Sequence, residues 1–257
     1  MEINEISRRS FLKLASGTIL AGASLIHSTE LFAKNNNIKA IAFDAFPIFD
    51  PRSIFQLAAS LYPAQGPQFA KLWRTRIFEY TWLRTSARQY RDFWECIDDA
   101  LQFTANQLKI NLTTENHQRL MESFLNLKCY SDVIPSLEKL KSHGIKLAFL
   151  SNMTDKMLHS NISKNGLEKY FDHIISTDTI KSYKPDPLAY QLGLNKLQVK
   201  KEEIVFVAFA SWDAVGAKWY GYPTVWVNRL NFTAEKLDAF PDQTGSDLSA
   251  LTNFIHI

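Results

Sequence analysis

From Ile134 onward the chain repeats one pattern, an amphipathic stretch, a glycine or short polar turn, and then a short apolar run. Ile134 to His143 leads through Gly144 to Ile145–Leu150. Lys156 to Asn165 leads through Gly166 to His173–Ser176, Pro187 to Leu197 leads to Ile204–Phe209, and Asp213 to Tyr220 leads to Thr224–Val227. This spacing predicts helices alternating with buried strands. Apolar strands joined through helices by short loops require a parallel sheet covered on both faces. An earlier run, Ile38-Lys39-Ala40-Ile41-Ala42-Phe43-Asp44, is apolar at its end and fits as the first strand. Between Asp50-Pro51 and Lys128 no strand pattern occurs, and helices are expected over Ile54–Leu61, Phe69–Leu83, Phe93–Leu108 and Glu115–Leu127. A helical block inserted after the first strand would lie over the carboxyl ends of the strands, where open α/β sheets place their ligands.

The 257 residues, 46% of them hydrophobic, are enough to bury a sizeable core. The net charge is +3, and residues 1–33 contribute none of it because Arg8, Arg9 and Lys13 balance Glu2, Glu5 and Glu30. A mild basic balance without a Lys/Arg-rich run favours a small anionic substrate and argues against nucleic acid. Ser7-Arg8-Arg9-Ser10-Phe11-Leu12-Lys13 and the weakly apolar stretch Leu14 to Ile26 resemble a twin-arginine export signal over residues 1–33. That stretch is shorter than the roughly 20 apolar residues of a spanning helix. The resemblance implies the twin-arginine export machinery as a partner and a periplasmic or otherwise extracytoplasmic location. The segment would be a membrane anchor if it is not removed, and Leu31-Phe32-Ala33 is a poor small-residue cleavage site. Cys96 and Cys129 are expected in helical territory, as two buried free thiols rather than a disulfide, and no Cys/His cluster suggests zinc.

In a parallel sheet the residues that end successive strands converge. Here they are Asp44, Ser151-Asn152, Lys184 in Tyr183-Lys184-Pro185-Asp186-Pro187, and Asp213 in Phe209-Ala210-Ser211-Trp212-Asp213. Taken singly, each has a plain reading: Asp44 and Asp213 as turn or helix caps, Lys184 as a surface lysine, Tyr190 as a packing residue. Arg74, Phe78 and Trp82 are spaced four apart on one predicted helix face, which alone reads as an arginine above core aromatics. Together, carboxylate, hydroxyl-amide, lysine and carboxylate resemble the signature of the haloacid dehalogenase superfamily. The segments Phe43-Asp44-Ala45-Phe46, Trp73-Arg74 through Arg84, Leu150-Ser151-Asn152, Tyr183-Lys184-Pro185-Asp186 and Trp212-Asp213 through Arg229 resemble the type II (S)-2-haloacid dehalogenases. The expected fold is therefore α/β, a Rossmann-like parallel sheet core (38–52 and 129–257) with an inserted α-helical cap subdomain (53–128).

The resemblance implies hydrolysis of short 2-haloalkanoic acids to 2-hydroxy acids through an ester on Asp44, without a metal or other cofactor. It implies Lys184 as the counter-charge of Asp44, Asp213 as the residue serving the hydrolytic water, and Arg74 with Asn152 as halide binders. Ser151 would hold the substrate carboxylate, Tyr190 would hydrogen-bond near the lysine, and Phe46, Phe78, Phe93 and Trp212 would wall the site. Members of the family are often dimeric, so a homodimer is allowed. Phe46 stands where a metal-dependent phosphatase of this superfamily would carry a second carboxylate, which turns the expectation from phosphoryl transfer toward carbon–halogen displacement. Two departures from the family pattern bear on turnover. The loop Asp44-Ala45-Phe46-Pro47-Ile48-Phe49-Asp50 is one residue shorter and lacks a threonine, and Ala208-Phe209-Ala210 replaces Ser-Ser-Asn. Two alternatives remain at this level: a Mg²⁺-dependent phosphatase with Asp50 as substitute acid, or a ligand-binding relative that has lost turnover.

Overall fold

Alternate residues of the first strand enter different cores, which is why its sequence is apolar on both faces. In the computed structural model, which describes residues 38–257, β1 (Ala40–Phe43) sends Ile41 and Phe43 into one cluster and Ala40 and Ala42 into the other. The same alternation holds along β4 (Ile204–Ala208), with Val205 and Val207 on one side and Ile204 and Phe206 on the other. With β2 (Lys146–Ser151), β3 (His173–Ser176), β5 (Thr224–Val227) and β6 (Gln243–Gly245) these strands make a six-stranded sheet in the order β3-β2-β1-β4-β5-β6. Every pairing is parallel. This is the doubly wound α/β arrangement expected from the alternation. Its order reverses between β1 and β4, so a crevice opens at the carboxyl end of β1. Asp44 lies there, its backbone N–H donating to the Val207 carbonyl at 2.9 Å.

Four helices separate β1 from the next core element: α1 (Arg52–Leu61), α2 (Gly66–Ala87), α3 (Phe93–Gln107) and α4 (Thr114–Ser123). A capping box at Asp92 and Glu95 starts α3, and Thr113 caps α4. Trp73 of α2 is fully buried among Phe55, Phe69 and Phe124, and its indole N–H donates to the Ile97 carbonyl at 3.1 Å. The remaining helices are α5 (Val133–Ser142), α6 (Asp155–Lys164), α7 (Pro187–Leu197), α8 (Ser211–Tyr220) and α9 (Ser249–Phe254). The helical block reaches the strand ends through Phe78, whose ring lies 5.5 Å from that of Trp212, and through Tyr90, which donates to Asp178 at 2.8 Å.

Several elements differ from the sequence-based expectation. Helix α2 extends a turn beyond both predicted ends, because its weak amphipathicity hides its bounds, whereas α4 stops at Ser123. β6 and α9 were not expected: Gln243–Gly245 is a polar edge strand whose place is set by pairing with β5. Cys96 is a buried free thiol of α3, but Cys129 is only half-buried and lies in a bridge opposite Phe49, not in a helix. The twin-arginine segment and the Asn35-Asn36-Asn37 linker lie outside the described residues. Among the described residues no helix is long and apolar enough to cross a membrane.

Candidate active site

A buried ammonium joins two carboxylates at the crevice. Lys184 is 1% exposed, and its Nζ donates to Asp44 Oδ1 at 2.9 Å and to Asp213 Oδ2 at 2.6 Å. Burial by itself disfavours the charged lysine, but the two carboxylates raise its pKa above the ordinary value. The other Asp44 oxygen accepts from the Phe46 backbone N–H at 3.2 Å, so one donor fixes each oxygen of this carboxylate. Asp213 sits in the first turn of α8 without a capping role, and burial raises its pKa to about 6 against the opposing pull of Lys184. The carbonyl of Asn152 accepts from the Lys184 backbone N–H at 2.9 Å and from Thr177 Oγ1 at 3.3 Å. With its oxygen so engaged, the Asn152 amide nitrogen is left to the cavity. Ser151 closes β2, and its hydroxyl accepts from the Met153 N–H at 3.2 Å.

These groups open into a cavity of about 790 Å³ under the helical block, lined by Asp44, Ser151, Asn152 and Asp213 from the strand ends and by Arg74, Phe78 and Phe93 from the helices. Phe46 and Trp212 complete its apolar wall. Lys184 stands behind Asp44, outside the lining. Arg74 has no ion pair or hydrogen bond among the described residues; its guanidinium lies 4.8 Å over the Phe232 ring, and partial burial lowers its pKa. A guanidinium stays protonated in such surroundings. It is therefore an exposed cation without a counter-ion among the described residues, lining the cavity, where it favours an anion.

Ten of the eleven site residues named from sequence are thus brought to one cavity or its backing. Tyr190, expected to hydrogen-bond near the lysine, is fully buried outside the cavity lining and donates to Asp213 Oδ1 at 2.7 Å, so it positions a carboxylate. Its ring reaches Asp213 because Gly216 leaves room; a Cβ there would stand 2.6 Å from Pro185 Cβ and nearer still to the Tyr190 hydroxyl. Trp82 shares the helix face of Phe78 and packs on Trp212 at 5.3 Å without lining the cavity.

Three further residues shape the site. Phe209 replaces a polar family residue and packs its ring 5.7 Å from Phe46 and 6.1 Å from Phe232. Phe232 lies in an irregular stretch where no periodicity signals a role. Arg229 donates to the Pro47 carbonyl at 2.7 and 2.9 Å while paired with Asp132, tying down the loop that follows Asp44. The Asn228-Arg229 pair was visible in the sequence, but its partners are more than ninety positions away and no local pattern reveals them.

Asp50 does not face this cavity. Arg52 grips it through hydrogen bonds of 2.6 to 2.9 Å, and although burial alone would raise its pKa, these contacts hold it below the usual carboxylate value. It has neither the place nor the proton of a general acid. Among the described residues no group of three or more His, Cys, Asp or Glu side chains is arranged to hold a metal ion.

The model of the haloacid dehalogenase-like hydrolase family matches residues 77–227. Haloacetate dehalogenase H-2 of Moraxella sp. (strain B) is 37% identical over 221 residues, covering 86% of this chain and 99% of that protein. The (S)-2-haloacid dehalogenase of Pseudomonas sp. (strain YL) is 37% identical over 83% of this chain and 93% of its own. A crystal structure of an L-2-haloacid dehalogenase superposes with a TM-score of 0.83 at 34% identity, covering 86% of this chain and all of that one. The Xanthobacter autotrophicus L-2-haloacid dehalogenase, with chloropropionic acid covalently bound, aligns with a TM-score of 0.78 at 28% identity over 85% of this chain and 98% of its own. The chain belongs to the haloacid dehalogenase-like hydrolase family, among the (S)-2-haloacid dehalogenases.

Proposed function

We propose that the protein hydrolyses 2-haloalkanoic acids to 2-hydroxy acids through a covalent ester on Asp44. The observation that carries this reading is a nearly buried carboxylate held by a buried ammonium, facing an apolar cavity whose helical wall supplies an unpaired arginine. A carboxylate is a modest nucleophile in water, and removing its hydration while holding it in place raises its reactivity. An Asp44 oxygen attacks C2 of the substrate, an O–C bond forms, and the C–halogen bond breaks with its electron pair leaving on the halide. Arg74 and the Asn152 amide bind the departing halide, while Ser151 and its neighbouring backbone N–H groups hold the substrate carboxylate. Water then adds to the ester carbonyl carbon; Asp213 accepts its proton, the 2-hydroxy acid departs, and the Asp44 carboxylate returns with release of one proton. One ammonium against two carboxylates leaves this cluster one negative charge, and Arg74 offsets it so that an anionic substrate can enter.

Halide release from (S)-2-chloropropionate, measured with EDTA and with Mg²⁺, tests the reading. Activity in EDTA that disappears in Asp44→Asn, with an intact mass increased by one 1-carboxyethyl group in a stalled hydrolysis variant such as Asp213→Asn, is the expected result. Phosphate release from p-nitrophenyl phosphate dependent on Mg²⁺ would overturn it.

The same reading divides the chain into a core of residues 38–52 and 129–257 and a cap of residues 53–128, and assigns residues 1–33 to twin-arginine export with an extracytoplasmic destination. Support for export is the Arg8-Arg9 pair followed by Phe11-Leu12-Lys13. Replacing both arginines by lysine is expected to retain the protein in the cytoplasmic fraction, and unchanged fractionation would remove the assignment.

A further inference from the structure

The cavity is much larger than a two- or three-carbon haloacid needs. Its 790 Å³ lies in the range that accommodates drug-sized ligands, whereas a three-carbon haloacid displaces only about four waters' worth of volume. Part of its lining comes from the helical block. Ala70 and Arg74 are one turn apart on α2, so the cavity continues past the arginine toward the start of that helix. Phe55 and Ala59, one turn apart on α1, line it as well, together with Phe124. Helices α1 and α2 meet at Gly66, where a Cβ would collide with the Ala59 carbonyl. The arm stays open between them because two of its wall residues, Ala59 and Ala70, are small.

The polarity of this arm is as informative as its size. The carboxylates that line the cavity are Asp44, Asp213 and Glu235, none of them on α1 or α2. Opposite, Phe46, Phe209 and Phe232 present consecutive rings, and Phe209 stands where the family pattern has serine. The apolar wall continues from these rings to Phe55, Ala59 and Ala70, while Arg52, Gln56, Lys71 and Thr75 line the same cavity at its exposed edge. A short haloacid would leave that wall wet.

We propose that the arm between α1 and α2 seats the alkyl chain of a medium-chain 2-haloalkanoic acid, making such acids the preferred substrates. The proposal rests on the haloacid reading of Asp44. Each methylene buried there is worth a few-fold in transition-state binding, part of which is lost in ordering the chain.

Halide release is to be measured for (S)-2-bromopropionate, (S)-2-bromohexanoate and (S)-2-bromooctanoate. The expected result is a kcat/KM that rises about tenfold or more from the first to the last. Ala59→Trp, or Ala70→Leu if the bulkier change fails to fold, is expected to lower the octanoate-to-propionate ratio by a similar factor. Unhalogenated octanoate should also inhibit the wild-type protein at least about tenfold more strongly than propionate. A kcat/KM that falls steadily with chain length, or a ratio untouched by either variant, overturns the proposal and leaves the dehalogenase reading in place. No halide and no Asp44 ester from any of the acids removes both.

Discussion

At the residue scale Asp213 meets two opposed demands. Burial raises its pKa to about 6, while Lys184 and the Tyr190 hydroxyl favour its ionised form. A water-activating carboxylate must be ionised, so kcat is expected to rise with pH through an acid limb near 6 that belongs to the Asp44–Lys184–Asp213 cluster. Tyr190→Phe removes a hydrogen bond that lowers this pKa, and its limb should move upward; a kcat–pH profile identical to wild type would sink the assignment of Tyr190 as a positioning residue. Linkage gives the opposite sign for stability: the folded state holds this proton more tightly than the unfolded chain, so the contribution of Asp213 falls as pH rises from 3.8 to about 6. Arg74 offers a second prediction. An exposed cation over an aromatic ring gains about 0.5–1 kcal/mol, so Phe232→Ala should weaken inhibition by free bromide by about two- to fivefold, with Phe232→Tyr restoring it. Bromide inhibition unchanged in Phe232→Ala would show that the ring does not hold the arginine. The candidacy of Arg74 came from its place in a familiar motif, whereas Phe232 was hidden because its partner lies far away in the chain.

At the scale of elements, β4 and α8 carry the most consequence, because the turn between them sets Asp213 and Phe209. Gly216 lies in the interior of α8, where alanine would ordinarily stabilise a helix by about 1 kcal/mol. Here the added Cβ meets Pro185 and the Tyr190 hydroxyl, and overpacking of this kind costs about 1–3 kcal/mol. Gly216→Ala is therefore expected to be destabilised in urea titrations and to lose activity together with the Tyr190–Asp213 bond. A more stable variant would mean that α8 shifts freely. The strands carrying the site were legible from sequence to within a residue: β2 runs Lys146–Ser151 where Ile145–Leu150 was expected, and β4 Ile204–Ala208 where Ile204–Phe209 was expected. β6 was not legible, because Gln243, Thr244 and Gly245 owe their extended form to pairing with β5 and not to any pattern of their own. Cys129 was misplaced for a related reason: the bridge to Phe49 is formed across eighty positions and ends the helical block before it.

For the whole molecule, the decisive interaction is the one that joins distant parts at the sheet centre. Lys184 is 140 positions from Asp44 and 29 from Asp213, and all three are buried. Removing the ammonium leaves two carboxylates uncompensated, so Lys184→Met should lose about 3–5 kcal/mol at neutral pH. That deficit should shrink on acidification as Asp213, whose pKa burial raises to about 6, becomes neutral. Equal deficits at pH 7 and pH 5 in denaturant titrations would refute this account. In the wild type the raised lysine pKa has the reverse consequence: its contribution is complete below the ordinary lysine value and is lost as pH rises through the folded one. Sequence by itself determined the α/β class, the parallel sheet, the helical insertion after the first strand and the residues at the strand ends, because period and apolarity are local properties that the backbone must satisfy in any tertiary context. Only the tertiary structure decided that Tyr190 stands behind Asp213, that Asp50 is held by Arg52, that Phe209 and Phe232 form one wall with Phe46, and that the cavity runs on between α1 and α2. Those outcomes depend on which distant side chains share a desolvated space, and no spacing along a single chain encodes that directly.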